Sequence, residues 1–109
     1  MIVEILEDKH PAETVLYTLS LSRNSNLSSD IDVLTTPTFT IYDVTDLATN
    51  IPSMLGAAGF DSTKDRITCE VTGGTSGEKY RLVGKATCTS GREYIGMGNL
   101  KVKNLGITL

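Results

Sequence analysis

The fold is decided by the stretch from Lys79 to Lys103, which is KYRLVGKATCTSGREYIGMGNLKVK. A first alternating run places one set of residues on the same face: Tyr80, Leu82, Gly84, Ala86 and Cys88. A second run does the same with Tyr94, Gly96, Gly98, Leu100 and Val102. A period of two is typical of β-strands with one buried face. Ser90 and Gly91 link the runs, which predicts a β-hairpin in which Gly91 supplies a positive φ.

A glycine-rich corner precedes this hairpin at residues 73–77, GGTSG. The run lacks the Gly-Lys-Ser/Thr ending of a phosphate-binding loop, and a strand rather than a helix follows it. We interpret Gly74, Gly77 and Tyr80 as a structural corner in which the tyrosine ties the turn back to the chain. The alternative is that Tyr80 simply fills the core. Gly96 and Gly98 are expected to make room for a bulky neighbour or a bulge.

Earlier segments continue the β pattern. Residues 14–22, TVLYTLSLS, alternate, and one face carries Val15, Tyr17, Leu19 and Leu21. Residues 66–72, RITCEVT, also alternate, with Ile67, Cys69 and Val71 at the inward positions. Residues 30–42 are also strand-like, but Pro37 predicts either two strands or one bent edge strand. Residues 48–59 are best interpreted as a loop or a short strand, because Gly56 and Gly59 disfavour a helix.

Length and composition favour a single domain. The chain has 109 residues and 39% hydrophobic residues, which is enough for one core. The strand-like runs predict an all-β protein, an immunoglobulin-like antiparallel β-sandwich of about seven strands spanning residues 1–109. Flexibility is expected in residues 1–10 and 104–109, although Ile107 and Leu109 are also suited to extending the last strand.

The charge pattern argues against two classes of partner. The net charge is −3 and the ten Lys and Arg residues are scattered, so neither nucleic acid nor a membrane is an expected partner. No apolar run approaches the roughly 20 residues that a membrane helix needs. The opening MIVEIL lacks a basic start and runs into charged residues, so it is a poor signal peptide, which favours synthesis in the cytoplasm.

The sequence offers little for catalysis. His10 is the single histidine and is expected on the surface, while Cys69 and Cys88 lie on inward faces, where thiols are inert. A nucleophile with a positioned base is therefore not expected, and we predict no enzyme activity, no catalytic residues and no cofactor. The two cysteines are interpreted as buried small hydrophobes, with a disulfide as the alternative.

Pairs of carboxylates raise the question of a metal. Asp30 with Asp32, and Asp61 with Asp65, have oxygen ligands at spacings that calcium can use, but neither matches the full calcium-loop pattern. Solvated loops explain them more simply, and no metal site is predicted.

Three apolar residues are predicted to face outward from the hairpin: Val83, Ile95 and Met97. An apolar cluster on the solvent side of a two-layer sandwich is typical of a protein interface. The alternatives are that the two faces are inverted or that a loop covers these residues.

Three segments resemble a known family. They are residues 10–23, HPAETVLYTLSLSR, residues 29–43, SDIDVLTTPTFTIYD, and residues 73–94, GGTSGEKYRLVGKATCTSGREY. These segments are similar to short immunoglobulin-like proteins of tailed phages and prophages, of the fibre–tail adaptor type. The corner at 74–80 and the turn Ser90-Gly91-Arg92 carry most of the likeness. His10 and Leu16 depart from it, because acids usually occupy these positions in the family, and a tryptophan frequent in the middle strand is missing.

The resemblance implies a structural role rather than an activity. It suggests a phage- or prophage-derived adaptor that contacts other phage structural proteins or itself during virion or tail assembly. Its location would be the virion, or the cytoplasm of the bacterial host before assembly. The alternative is a carbohydrate- or adhesion-type binding module of a larger surface system, for which Tyr42 and Tyr94 are the candidate aromatic residues.

Overall fold

A computed structural model describes residues 3–21, 34–44, 46–61, 66–89 and 91–104. These ranges contain eight β-strands. In chain order they are β1 (Val3–Ile5), β2 (Thr14–Ser20), β3 (Leu34–Asp43), β4 (Asp46–Asn50), β5 (Leu55–Asp61), β6 (Arg66–Thr72), β7 (Lys79–Cys88) and β8 (Glu93–Lys101). A short 3-10 helix, Pro52–Met54, lies between β4 and β5. Over these ranges we find no helix with the length and hydropathy needed to cross a bilayer.

The strands form two packed sheets. The larger sheet has the order β1-β8-β7-β3-β4, and the smaller has the order β2-β6-β5. Every pairing among β2 to β8 is antiparallel, whereas β1 joins β8 in parallel. The predicted all-β sandwich is therefore confirmed, with seven antiparallel strands and one short parallel addition.

The β7–β8 hairpin forms as its alternation predicts. Its register runs without a shift from Lys79 opposite Lys101 to Thr87 opposite Glu93. The side chains of β7 alternate between buried and more exposed along the strand, and so do those of β8 from Tyr94 onward. The predicted inward faces of both strands are thus confirmed.

The core lies between the two sheets. Its fully buried aliphatic side chains are Leu19 from β2, Ile41 from β3, Ile67 and Val71 from β6, Leu82 from β7, Leu100 from β8 and Val102 just after it. Burying each of them contributes about 1.5–3 kcal/mol to folding. The inward positions predicted for β6 are confirmed. In residues 14–22, the predicted inward positions Tyr17, Leu19 and Leu21 are confirmed as well.

Two glycines of β8 let the sheets approach each other. A Cβ on Gly98 would lie 2.8 Å from Leu6 Cδ1 and 2.9 Å from Leu19 Cδ2. A Cβ on Gly96 would lie 2.7 Å from the carbonyl oxygen of Ser20. Gly98 thus makes room for bulky neighbours, as predicted, whereas Gly96 makes room for the backbone of β2.

Residues 46–61 contain more strand than the sequence predicts. β4 pairs with β3, and β5 pairs with β6 as an edge strand of the smaller sheet. Gly56 and Gly59 do not prevent this, because they lie close against β6: added Cβ atoms would be 3.0 Å from Glu70 Cβ and 3.1 Å from Thr68 Oγ1. Glycine at these positions permits close approach.

Pro37 lies within one continuous strand, β3, so the two-strand alternative is wrong. It sits opposite Ala86 of β7, and β4 pairs with β3 further along, at Tyr42 and Asp43. The register of β3 shifts between Leu34 and Thr36, just before the proline. The prediction of a bent edge strand comes closer to the structure.

The first described residues are ordered against β8, where the sequence suggests flexibility. Val3 pairs with Met97, and Ile5 pairs with Asn99. Further on, the Lys9 N–H donates to the Lys101 carbonyl at 2.9 Å. A strand of three residues is too short for its alternation to be recognised in the sequence. It forms because it pairs with β8, which is distant along the chain. Residues 105–109, where flexibility is also expected, lie outside the described residues.

Candidate protein-binding face

The three residues predicted as an interface share the outer face of the larger sheet. Val83 of β7 is directly opposite Met97 of β8, and both are half-buried. Ile95 lies two positions before Met97 on the same face of β8 and is 37% exposed. The two faces are therefore not inverted, since the other side of each strand carries the core residues.

β1 enlarges this apolar surface. Val3 lies beside Met97, so a row of three apolar residues crosses β1, β8 and β7. Ile5 lies one position further along the same face, beside Asn99, and is 95% exposed. We call the five residues Val3, Ile5, Val83, Ile95 and Met97 the outer patch. The only sequence signal for the β1 contribution is the alternation of Val3, Glu4 and Ile5.

Polar pairs surround the outer patch. Lys85 forms an ion pair with Glu93 at 3.4 Å, with both side chains about half exposed. On the opposite flank, Arg81 Nε donates a hydrogen bond to Asn99 Oδ1 at 3.1 Å. An apolar centre with a polar rim is the arrangement found in many protein–protein interfaces.

The glycine corner is held by Tyr80. The buried tyrosine hydroxyl accepts a hydrogen bond from the Thr75 N–H at 2.9 Å. Gly74 has a φ of 98°, and a Cβ there would lie 2.8 Å from Val102 Cγ2. Gly77 has a φ of 91°, and its N–H donates to the Val102 carbonyl at 2.8 Å. Hydrogen bonds therefore join the corner both to Tyr80 and to Val102, which directly follows β8.

We expect Tyr80→Phe to lower the free energy of unfolding by about 1–2 kcal/mol, because the Thr75 N–H loses its acceptor. Urea denaturation followed by far-UV circular dichroism measures this change. Tyr42→Phe on the outer face is the matched control and should change stability by less than about 0.5 kcal/mol. Equal effects of the two substitutions would show that the Tyr80 hydroxyl does not hold the corner.

The hairpin turn uses Gly91 as predicted. Gly91 has a φ of 87°, and its N–H donates to the Cys88 carbonyl at 2.9 Å. The Cys88 N–H in turn donates to the Arg92 carbonyl at 2.9 Å. Ser90, the other predicted turn residue, lies outside the described residues.

His10 is buried, so the prediction of a surface histidine is wrong. It is only 7% exposed, and its Nδ1 accepts a hydrogen bond from the Ala12 N–H at 3.0 Å. Its backbone N–H donates to Glu13 Oε1 at 2.7 Å. The ring serves as an acceptor within the turn that leads into β2, which accounts for its burial.

Lys9, next to His10, is the most unusual buried residue. It is 0% exposed, and its Nζ donates to the carbonyl oxygens of His10 at 2.8 Å and Gly73 at 2.7 Å. Burial lowers the pKa of the Lys9 amine, while the nearby Glu13 carboxylate acts in the opposite direction. Lys9 thus ties the N-terminal segment to the corner after β6.

The two cysteines are buried, as their inward positions suggest, and no disulfide joins them. Burial raises the pKa of the Cys69 thiol, and a hydrogen bond with the backbone of Gly56 opposes this only in part. The thiolate is therefore disfavoured at neutral pH, which is the opposite of what an activated nucleophile needs.

The described ranges bring together no group of three or more His, Cys, Asp or Glu residues suited to a metal ion. Of the four residues considered for calcium, Asp30, Asp32 and Asp65 lie outside those ranges, and Asp61 is the last residue of β5. Asp43 and Glu78 do come close, and a hydrogen bond between them raises the pKa of Glu78.

The two tyrosines considered for carbohydrate binding lie on different sides of the larger sheet. Tyr94 packs against the core from the inner side. Tyr42 is half-buried opposite Arg81 on the outer side. They therefore do not form a common aromatic platform.

Comparison with known proteins gives no assignment. No protein-family model matches the chain, and no curated protein is similar to it. The function must therefore be inferred from the residues of the chain itself.

Proposed function

We propose that this protein is a non-enzymatic structural or adaptor module that acts through protein–protein contacts. The observation that carries the proposal is the outer patch, in which five apolar side chains from three neighbouring strands lie on the outward face of the larger sheet. Apolar side chains gathered on one outward face are stabilised when a partner covers them.

The strand order supports an immunoglobulin-like module. β8-β7-β3-β4 facing β2-β6-β5 corresponds to strands G-F-C-C′ facing B-E-D of that fold. Such sandwiches serve many binding and structural roles, so the fold alone does not select the partner.

The resemblance of the corner and hairpin to adaptor proteins of tailed phages supports a phage or prophage origin. In that role the outer patch would contact another phage structural protein or a second copy of this chain, during virion or tail assembly. The protein would reside in the virion, or in the bacterial cytoplasm before assembly. The carbohydrate-binding alternative has less support, because Tyr94 faces the core.

The test is co-expression of the protein with the products of the neighbouring genes, followed by size-exclusion chromatography with light scattering. The wild-type protein is expected to form a complex of defined mass with itself or with one of them. The double substitution Ile95→Glu and Met97→Glu should weaken this complex by at least about tenfold, because it places two carboxylates in the outer patch.

Leu16→Glu is the matched control. Leu16 is 60% exposed on the outer face of the smaller sheet, so this substitution adds a carboxylate away from the outer patch. The control should leave the complex intact. A strictly monomeric wild-type protein that binds none of the neighbouring gene products, or equal loss of binding in both variants, would refute the proposal.

A further inference from the structure

A groove of about 320 Å³ lies next to the outer patch, where the chain leaves β1 and runs along β8. Its apolar lining comes from Ile5, Leu6 and Leu100. Its polar lining comes from Lys79, Asn99 and Lys101, with Asp8 at the same site. The groove therefore combines an apolar part with a group of polar side chains at one end of the outer face.

Positive charge predominates in this groove. Lys79 and Lys101 are directly opposite each other in the register of β7 and β8, an arrangement of like charges that destabilises a strand pair. Asp8, the carboxylate that the described residues contribute to the groove, is bound by Lys103 at 2.8 Å. That hydrogen bond, with a smaller contribution from Lys101, lowers the pKa of Asp8. Asp8 is thus paired mainly with Lys103, and within the described ranges no carboxylate forms an ion pair with Lys79 or Lys101.

The neutral polar group in the groove is also a donor. Arg81 Nε donates to the Asn99 side-chain oxygen at 3.1 Å, and the Asn99 amide nitrogen is a donor that can bind a ligand. A complementary ligand must therefore supply acceptors, and charged acceptors are favoured by the two lysines.

Ile5 defines the other requirement. It lines the groove and is 95% exposed, so most of its apolar surface is in water. A ligand that covers Ile5 while it binds the lysines needs an apolar group close to its negative charge.

We propose that this groove binds an acidic peptide segment of the partner protein, with carboxylates on Lys79 and Lys101 and an apolar side chain against Ile5. This inference rests on the proposed function, because it names the chemistry of the partner that covers the outer patch. Charge complementarity of this kind orients two proteins and speeds their association.

The experiment is an NMR titration of the 15N-labelled protein with a capped pentapeptide of alternating Glu and Leu residues. We expect chemical-shift changes at the backbone amides of Lys79, Asn99 and Lys101. A matched peptide with Gln in place of Glu should bind at least about tenfold more weakly. The double substitution Lys79→Gln and Lys101→Gln should weaken binding of the Glu peptide by a similar factor.

Lys85→Gln is the control, since Lys85 is a cation on the same outer face that is already paired with Glu93. It should leave binding unchanged. The inference is overturned if the Glu peptide causes no shifts at these three amides, or if the Gln peptide binds equally well. Tighter binding of inorganic phosphate or of a thymidine oligonucleotide, lost in the same double variant, would also overturn it by marking a phosphate site.

The two proposals fail in different ways. If the double lysine variant binds its protein partner as well as the wild type does, while the Ile95→Glu and Met97→Glu variant does not, only the acidic-segment inference fails. If the wild-type protein has no partner at all, the proposed function fails, whatever the peptide does.

Discussion

Gly96→Ala is expected to lower the free energy of unfolding by about 2–3 kcal/mol, because the added methyl group has no space. The Cβ would lie 2.7 Å from the carbonyl oxygen of Ser20 and 3.2 Å from Leu19 Cβ. The first contact is with backbone, so no rotation of a side chain can relieve it. Either β2 or β8 must move, and the two sheets must separate locally. Urea denaturation followed by circular dichroism measures the loss.

Gly59→Ala is the control for this substitution. It also lies in a strand, but a Cβ there would meet the side-chain oxygen of Thr68 at 3.1 Å, and this hydroxyl can rotate away. We expect a change of less than about 0.5 kcal/mol. If both alanine variants lose the same stability, the cause is loss of glycine from a strand rather than the close approach of the two sheets at Gly96.

Lys9→Met is expected to lower the free energy of unfolding by about 1–3 kcal/mol at neutral pH. The reason is that a buried carbonyl group without a donor has lost its hydrogen bonds to water and gains none in the protein. The substitution keeps the apolar stem but removes the donor that serves the carbonyl oxygens of His10 and Gly73. Chemical denaturation at pH 7 measures the difference. Lys103→Met is the control: it removes a surface ion pair with Asp8, which contributes at most about 1 kcal/mol.

The pH dependence of the Lys9→Met variant gives a second measurement. Burial lowers the pKa of Lys9 in the folded protein below its ordinary value of 10.5. Between the folded pKa and the ordinary value, the unfolded chain binds more protons than the folded one. Raising the pH across this range therefore stabilises the fold, and lowering the pH through the folded pKa removes that stability. The stability of the wild type relative to Lys9→Met should therefore increase as the pH rises through the folded pKa of Lys9 toward 10.5.

Tyr17 gives the opposite pH dependence. Burial raises the pKa of Tyr17 to about 12, and its hydroxyl donates to the Glu7 carbonyl at 2.8 Å. Above about pH 10 the unfolded chain ionises this tyrosine while the folded protein does not, so stability falls in every variant that keeps it. Because wild type and Lys9→Met both keep Tyr17, its effect cancels in their difference. A wild-type advantage over Lys9→Met that does not grow as the pH rises toward 10.5 would show that burial does not lower the pKa of Lys9.

Local patterns are sufficient to predict the strands that carry a buried face. β6, β7 and β8 alternate over their whole length, and burial on one side of a strand produces this period directly. The corner at Gly74 and Gly77 is recognisable because positive φ angles select glycine. The outward position of Val83, Ile95 and Met97 follows from the same alternation.

Features that depend on distant partners cannot be predicted in this way. β1 is defined by its pairing with β8 and not by a period of its own. Lys9 and His10 have polar side chains, which are typical of a surface, yet both are buried with hydrogen bonds to nearby backbone. The contribution of Val3 and Ile5 to the outer patch cannot be predicted from local patterns either, because it depends on the pairing of β1 with β8.

The parallel pairing of β1 with β8 also sets the order in which the protein can mature. The two strands come from opposite ends of the described chain, so Val3 cannot meet Met97 until every strand between them has been synthesised. Contacts between such distant segments close large loops and form slowly. On the ribosome, a nascent chain would therefore carry Val83 before Val3 and Ile5 take their places beside β8. The complete outer patch therefore exists only on the finished domain.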